Sequence, residues 1–413
     1  MRNARRAALA AVLPVACDGA LPDPPDAGPG PGLVVDVTLG GAAYFTDDGE
    51  VVDEIDPAEG EAPFALPPAH PDHWGAAYFT HDRYECTRDG HQSVLFLNPP
   101  GHPWAEPADL LVYLHGGGLG AFDEGGTYHP AWLSQRDCRS MVDQEDPERL
   151  LARWSGDPCS AEWPPSLGIA ARLVADADLR IALVSKCDQD VYSGTGRPDH
   201  RNPWNRDNRV DGLLATRAAI ELAFAEGWTD GDHALLLAGA SAGGVGVHTV
   251  ARTLGEDGRR VAGVISDAAV MNVEAFERIF ADAPDGCAFR EQVADPADWR
   301  PRVGPEVAPE RAPQHAIEPD SYPVFQVWSP ADATFCSEAA VSLVFDPVAG
   351  AIRAQNPGGV SEARPVCIDG ECNAHSFIRW APPDSRDTRG CEGDACEPIL
   401  EVLHAWLRAR RGP

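Results

Sequence analysis

Apolar runs of strand length that show no alternation are the feature that most constrains this chain. DLLVYLH (109–115), RIALVSK (180–186), HALLLAGAS (233–241), RRVAGVISD (259–267) and YPVFQVWSP (322–330) are each nearly continuous in apolar side chains. A strand with one wet face alternates, so such runs predict strands buried on both faces of a sheet. Between them lie segments of helical period. RVDGLLATRAAIELAFAEG (209–227) spaces leucine, alanine and isoleucine at helical intervals and ends at Gly227. A shorter helix should follow Ser241, and EPILEVLHAWLRARR (397–411) closes the chain as an amphipathic helix. This alternation predicts an α/β fold with a mostly parallel central sheet flanked by helices. LVVDVTL (33–39) and SVLFLN (93–98) are expected as earlier, antiparallel strands. Two proline- and aspartate-rich stretches, roughly 119–168 and 280–320, exceed ordinary connections and are expected as lids or as loops that carry side chains to a site.

With 413 residues, 44% of them apolar, the chain can bury a large core, and nothing after residue 33 forces a domain boundary. Acidic residues outnumber basic ones 64 to 33, a formal charge of −31 that disfavours nucleic acid and anionic lipid as partners. The first residues, MRNARRAALAAVLPVAC, combine a basic start, a short apolar run and small residues before Cys17, the pattern of a secretory leader over 1–16. The apolar run is far shorter than the ~20 residues of a membrane span, and no later run reaches that length. Cys17 after Leu13-Pro14-Val15-Ala16 resembles a bacterial lipoprotein cleavage site with its leucine one position too far, so cleavage with a lipid anchor and cleavage without one both fit. Residues 17–32, rich in proline and glycine, read as a tether, and 33–413 as one catalytic domain with insertions.

Cysteine usage points to the same compartment. Of eleven cysteines, removing Cys17 leaves Cys86, Cys138, Cys159, Cys187, Cys287, Cys336, Cys367, Cys372, Cys391 and Cys396, an even set suited to disulfides in a secreted or cell-envelope protein. The spacings of Cys367 to Cys372 and Cys391 to Cys396 lack the two-residue knuckle of structural zinc, so no metal is expected.

GASAGG centres on Ser241 within the pattern GxSxG, directly after an apolar run and before a helical one. At a strand-to-helix turn small neighbours let the chains approach, the serine hydroxyl is lifted above the sheet, and the next backbone N–H, that of Ala242, lies beside it. Serine is a poor nucleophile until a base takes its proton. Upstream, LVYLHGGG ends a buried run with Gly116, Gly117 and Gly118, whose backbone can aim N–H groups at an anionic oxygen, each worth roughly 3 kcal/mol in a transition state. The base and its orienting acid should follow in the order serine, acid, histidine. Asp332 in VFQVWSPADATFC and His375 in CNAHSF meet that order, and Asp267 in VISDAA is the competing acid. His115, His248 and His404 read as structural or solvated.

These motifs together resemble the pectin acetylesterases and the related animal carboxylesterase Notum. YLHGGG is similar to their glycine-rich strand end, SKCDQDVYSG (185–194) to their cysteine-aspartate segment, GASAGG to their nucleophile turn, VISDAA to a following strand and aspartate, and CNAH to the cysteine and histidine carrying their base. The order matches over about 109–378. The chain departs where the family has tryptophan and cysteine after the glycines, here Leu119, Gly120 and Ala121, and where it commonly has glutamate, here His115. The resemblance implies an α/β-hydrolase fold, Ser241 as nucleophile, His375 as base and Asp332 as acid, with the oxyanion held by Gly117, Gly118 and Ala242. It also implies secretion with disulfides and no cofactor. The expected activity is a serine carboxylesterase acting as a monomer on acetyl or other short acyl esters, of a carbohydrate or a small alcohol. A longer-chain acyl hydrolase and a non-catalytic binding protein are the alternatives. Arg197, Arg201 and Arg206 are candidates for a basic patch toward an acidic polysaccharide.

Overall fold

Alternate residues of each central strand face opposite sides of a sheet, and this chain covers both sides. The computed structural model describes residues 33, 35–46, 51–55, 66–85, 91–116, 121–122, 128–129, 179–185, 190–198, 209–268, 273–282, 287, 322–355, 361–367, 389–392 and 395–411. All of these fall in the compact unit Leu33–Pro413. In chain order the elements are β1 (Val37–Phe45), β2 (Val51–Ile55), β3 (Trp74–Glu85), β4 (His91–Asn98), β5 (Asp109–Leu114), β6 (Ala121–Phe122), β7 (Tyr128–His129), β8 (Leu179–Val184), β9 (Arg197–Pro198) and β10 (Arg209–Val210). Then follow α1 (Gly212–Ala225), β11 (Leu235–Ala240), α2 (Ala242–Glu256), β12 (Gly263–Asp267), α3 (Val273–Asp282), β13 (Val324–Trp328), α4 (Glu338–Gln355), β14 (Glu362–Cys367), β15 (Arg389–Glu392), β16 (Ala395–Pro398) and α5 (Ile399–Arg410).

One sheet has the order β16-β15-β14-β13-β12-β11-β5-β8-β4-β3-β1-β2. From β8 through β14 neighbours run parallel, and the strands beyond on either side are antiparallel. Leu110, Val112 and Leu114 of β5 point into a core shared with α1, α2, α3 and α4. Leu111 and Tyr113 point into a second core closed by Ile399, Leu403 and Trp406 of α5. The two buried faces explain the continuous apolar runs.

The early part of the chain differs from the sequence expectation. The first strand is Val37–Phe45 rather than 33–39: it passes through Gly40-Gly41 by a register shift between Leu39 and Gly41 and continues along β3. The two glycines sit at an irregularity inside the strand. The helix expected over 209–227 starts at Gly212, because Arg209–Val210 pairs with Arg197–Pro198. It ends at Ala225, and past it Gly227 takes φ 70 while the Trp228 amide returns to the Ala223 carbonyl. Of the stretches expected as lids, most of 119–168 and 280–320 lies outside the described residues; β6 pairs with β7 inside the first. Among the described residues no helix is long and apolar enough to cross a membrane.

Two imidazoles lie deep in this framework. His248, on α2, and His81, on β3, are 4% and 0% exposed, and neither ring nitrogen of either has a hydrogen-bond partner. Burial pushes both from 6.5 down to about 4; for His248 nearby Gln326 opposes the fall and Arg252 adds to it, and for His81 the Asp82 charge opposes it. The neutral forms are the native ones. As pH falls from 6.5 toward 4 the unfolded chain binds protons that the folded chain cannot, so stability drops by about 3 kcal/mol per imidazole and these groups cost nothing further below that window. Urea unfolding at pH 7 and pH 4.5 should therefore show a smaller pH dependence in His248→Leu than in the unaltered chain. An identical dependence in both would contradict the buried neutral imidazole.

Candidate active site

The residue that joins β11 to α2 is Ser241, at φ 51 and ψ −121. A non-glycine residue in this region stores strain of about 1–3 kcal/mol and persists only where its surroundings dictate it. Here they do. The Ser241 amide donates to the Asp267 carbonyl at 2.8 Å, and the Ser241 carbonyl accepts from the Val245 amide at 3.2 Å. The side chain is half-buried and makes no capping hydrogen bond to the helix it precedes. Serine before a helix ordinarily caps it; this one, with its positive φ, does not.

The glycines around it are required by contact. A Cβ on Gly243 would overlap the Leu114 carbonyl of β5, and one on Gly239 would overlap the Gly243 backbone. A Cβ on Gly116 would lie 3.0 Å from both the Ala240 carbonyl oxygen and Ser241 Cβ. Strand, tip and helix meet without space for side chains, and the end of β5 rests on the serine.

Parallel registers bring the remaining parts to the same edge. Gly239 pairs with Leu114 on one side and Ser266 on the other, and Asp267 pairs with Val327 of β13. Gly116, Ser241 and Asp267 therefore emerge together at the carboxyl ends of the strands. The chain crosses from β5 to β8 on one side and returns to β11 on the other, so the serine stands at the topological switch point, where sheets of this kind hold ligands.

Beyond β13, Asp332 is 1% exposed, and its carboxylate accepts the Thr334 amide at 2.9 Å, opening a single 3₁₀ turn, Ala333–Phe335. The turn ends at Cys336, at φ 64, which is disulfide-bonded to Cys287. The Ser329 hydroxyl donates to the Val366 carbonyl at 3.1 Å, tying the end of β13 to that of β14. Cys367, the last residue of β14, is disulfide-bonded as well. The chain thus leaves β14 at the edge that carries Asp332. Asp267, also 1% exposed, ends β12. Both candidate acids are held at this edge.

His375, Gly117 and Gly118 lie outside the described residues, as do Arg201 and Arg206; Arg197 is exposed on β9. Ala242 is the first, buried residue of α2. His115 is half-buried, with Nδ1 2.8 Å from the Gly116 carbonyl oxygen. His404 lies on α5, far along the chain from any strand end that carries a site residue. Among the described residues no group of three His, Cys, Asp or Glu is placed to hold a metal ion. Sequence reasoning included Asp190 and Tyr192 in a motif likeness but assigned them no role in supporting the end of β5; the left-handed backbone of Val191 and Tyr192 leaves no mark in composition or periodicity.

This topology, with a serine at a strained strand-to-helix tip and an acid after a later strand, is that of the α/β-hydrolase fold. No protein-family model and no curated protein matches the chain. Among solved structures it is similar to carboxyl esterase 2 from the mycorrhizal fungus Tuber melanosporum, at 12% identity and TM-score 0.45 over 78% of this chain and 83% of that one. It is similar to a thermophilic, thermostable carboxylesterase cloned from a metagenomic library, at 13% identity and TM-score 0.46 over 84% and 91%. A Pyrobaculum calidifontis esterase matches at 13% identity and TM-score 0.43 over 78% and 80%.

The packing yields a paired test. Gly243→Ala should destabilise the fold by about 3 kcal/mol or more, because neither strand nor helix backbone can yield. Gly350→Ala, in α4 with nothing within 4 Å, should stabilise by about 0.5–1 kcal/mol. Thermal melts of both variants check this, and a Gly243→Ala protein as stable as the parent would contradict the close approach.

Proposed function

We propose that this chain is a serine carboxylesterase that removes acetyl or other short acyl groups from carbohydrate or small alcohol esters. The observation that carries the reading is Ser241 at φ 51 on the tip between β11 and α2, with Gly116 packed against it. In this mechanism His375 takes the Ser241 proton as Oγ attacks the ester carbonyl carbon. The tetrahedral oxyanion receives N–H groups from Ala242 and from Gly117 and Gly118, collapses to the acyl-serine, and expels an alcohol that takes the proton from His375. Water, activated by the same imidazole, then attacks the acyl carbon and frees the carboxylic acid. Asp332 holds the imidazole tautomer and stabilises its cationic form.

The fold, the burial of both acids at the serine's edge and the exit of β14 there support this assignment. The narrower likeness to pectin acetylesterases and Notum rests on the sequence motifs, and export to the cell envelope or beyond rests on the leader pattern and the cysteines. The disulfide between Cys287 and Cys336 agrees with an oxidising compartment.

Ser241→Ala and His375→Ala should each lose more than about a thousandfold in turnover of p-nitrophenyl acetate. Asp332→Asn should be strongly impaired and Asp267→Asn close to the parent; the reverse result would move the acid role to Asp267. Acetate esters should be cleaved faster than octanoate or palmitate esters, and the opposite order would favour a long-chain acyl hydrolase.

A further inference from the structure

Between β8 and β9 two consecutive non-glycine residues, Val191 at φ 53 and Tyr192 at φ 59, lie in the left-handed region. For a β-branched residue such as valine this is an outlier, and such backbone survives only where its neighbours over-determine it. The Asp190 carboxylate does so. One of its oxygens accepts the Tyr192 amide at 2.9 Å; the other accepts the Gly194 amide at 2.6 Å and the Gly212 amide at 3.1 Å. Gly194 and Gly212 lie directly on that carboxylate, leaving no space for a Cβ on either. A fully buried acid thus fastens the turn to the start of α1.

The turn delivers Tyr192. Its side chain is 0% exposed, and a Cβ on Gly246 of α2 would lie 2.8 Å from Tyr192 Cβ, so the tyrosine packs on the helix that begins at the nucleophile. Its ring stands edge-on to the His115 imidazole at 6.2 Å. Its hydroxyl accepts the His115 amide at 3.1 Å and faces the Val184 and His115 carbonyls at 3.3 and 3.4 Å. His115 is the residue between β5 and the glycines, and Gly116 after it rests on Ser241. One side chain therefore spans the helix behind the serine and the start of the loop expected to supply the oxyanion amides.

We infer that Tyr192 is a positioning residue whose hydroxyl fixes His115, and through it Gly116, relative to Ser241. The inference rests on the ester-hydrolase reading. Oxyanion donors act only within about 2.7–3.1 Å of where the charge develops, so a loop that drifts loses rate in the chemical step and leaves substrate binding intact. If the tyrosine served packing alone, phenylalanine would replace it without loss.

Tyr192→Phe tests this, since it keeps the ring, the turn and the buried volume. Hydrogen exchange followed by mass spectrometry should show faster exchange of the His115 amide. The kcat for p-nitrophenyl acetate should fall about ten- to a hundredfold with KM within about twofold. Unchanged exchange at His115 overturns the brace whatever the activity, and faster exchange with an unchanged kcat overturns its catalytic role. An unaltered chain that hydrolyses no ester overturns the hydrolase reading and this catalytic role with it, while the exchange result still decides the brace.

Discussion

The contact of the Gly243 backbone with the Leu114 carbonyl is the constraint on which the site depends. Because α2 lies this close to β5, it begins immediately after β11, and one residue must make the entire reversal from strand to helix. That residue is Ser241, and its positive φ follows from the reversal. The hydrogen bond from its amide to Asp267 and the approach of Gly116 then fix the tip from both neighbouring strands. A larger residue at position 239 or 243 would separate strand from helix and lower the tip into the turn.

The two edges of the sheet are stabilised in different ways. At the amino-terminal ends of the strands Arg180, 0% exposed, reaches Asn98 at 2.8 Å, binds the Trp228 carbonyl and lies 5.0 Å from the Trp104 ring. Burial draws its guanidinium down to about 10, and it remains a charged staple satisfied by neutral acceptors. At the carboxyl ends, buried carboxylates organise loops by accepting backbone amides: Asp190 shapes the turn before β9, and Asp332 opens the turn that Cys336 closes. One edge holds the scaffold together, and the other carries Ser241 and the two candidate acids on turns held by that scaffold.

The central sheet was legible because strands buried on both faces cannot hide their composition. The runs at 109–115, 180–186 and 322–330 correspond to β5, β8 and β13 to within two residues at each end. GASAGG was legible as a tip because its glycines answer to steric contact, which sequence records directly. The outer strands were legible only in part: SVLFLN (93–98) falls within β4, antiparallel as expected, but its neighbours were not read. β3, the long strand that joins β1 to β4, mixes polar and apolar residues as WGAAYFTHDRYE, and β14 contains a proline at an otherwise ordinary strand position. α4 was missed with Pro347 inside it, where the residue reads as a breaker. Asp190 and Tyr192 entered only through a motif likeness. Their role depends on two left-handed residues whose cause, three amides converging on one carboxylate, is assembled from positions as distant as Gly212.

The central claim is that the strained tip presents a nucleophilic serine, and covalent trapping tests it most directly. A fluorophosphonate reacts with an activated serine and leaves a mass tag that peptide mapping locates. The expected result is one tag per chain, on the peptide that contains Ser241. A chain that stays unmodified, or that carries the tag on another residue, would contradict the account.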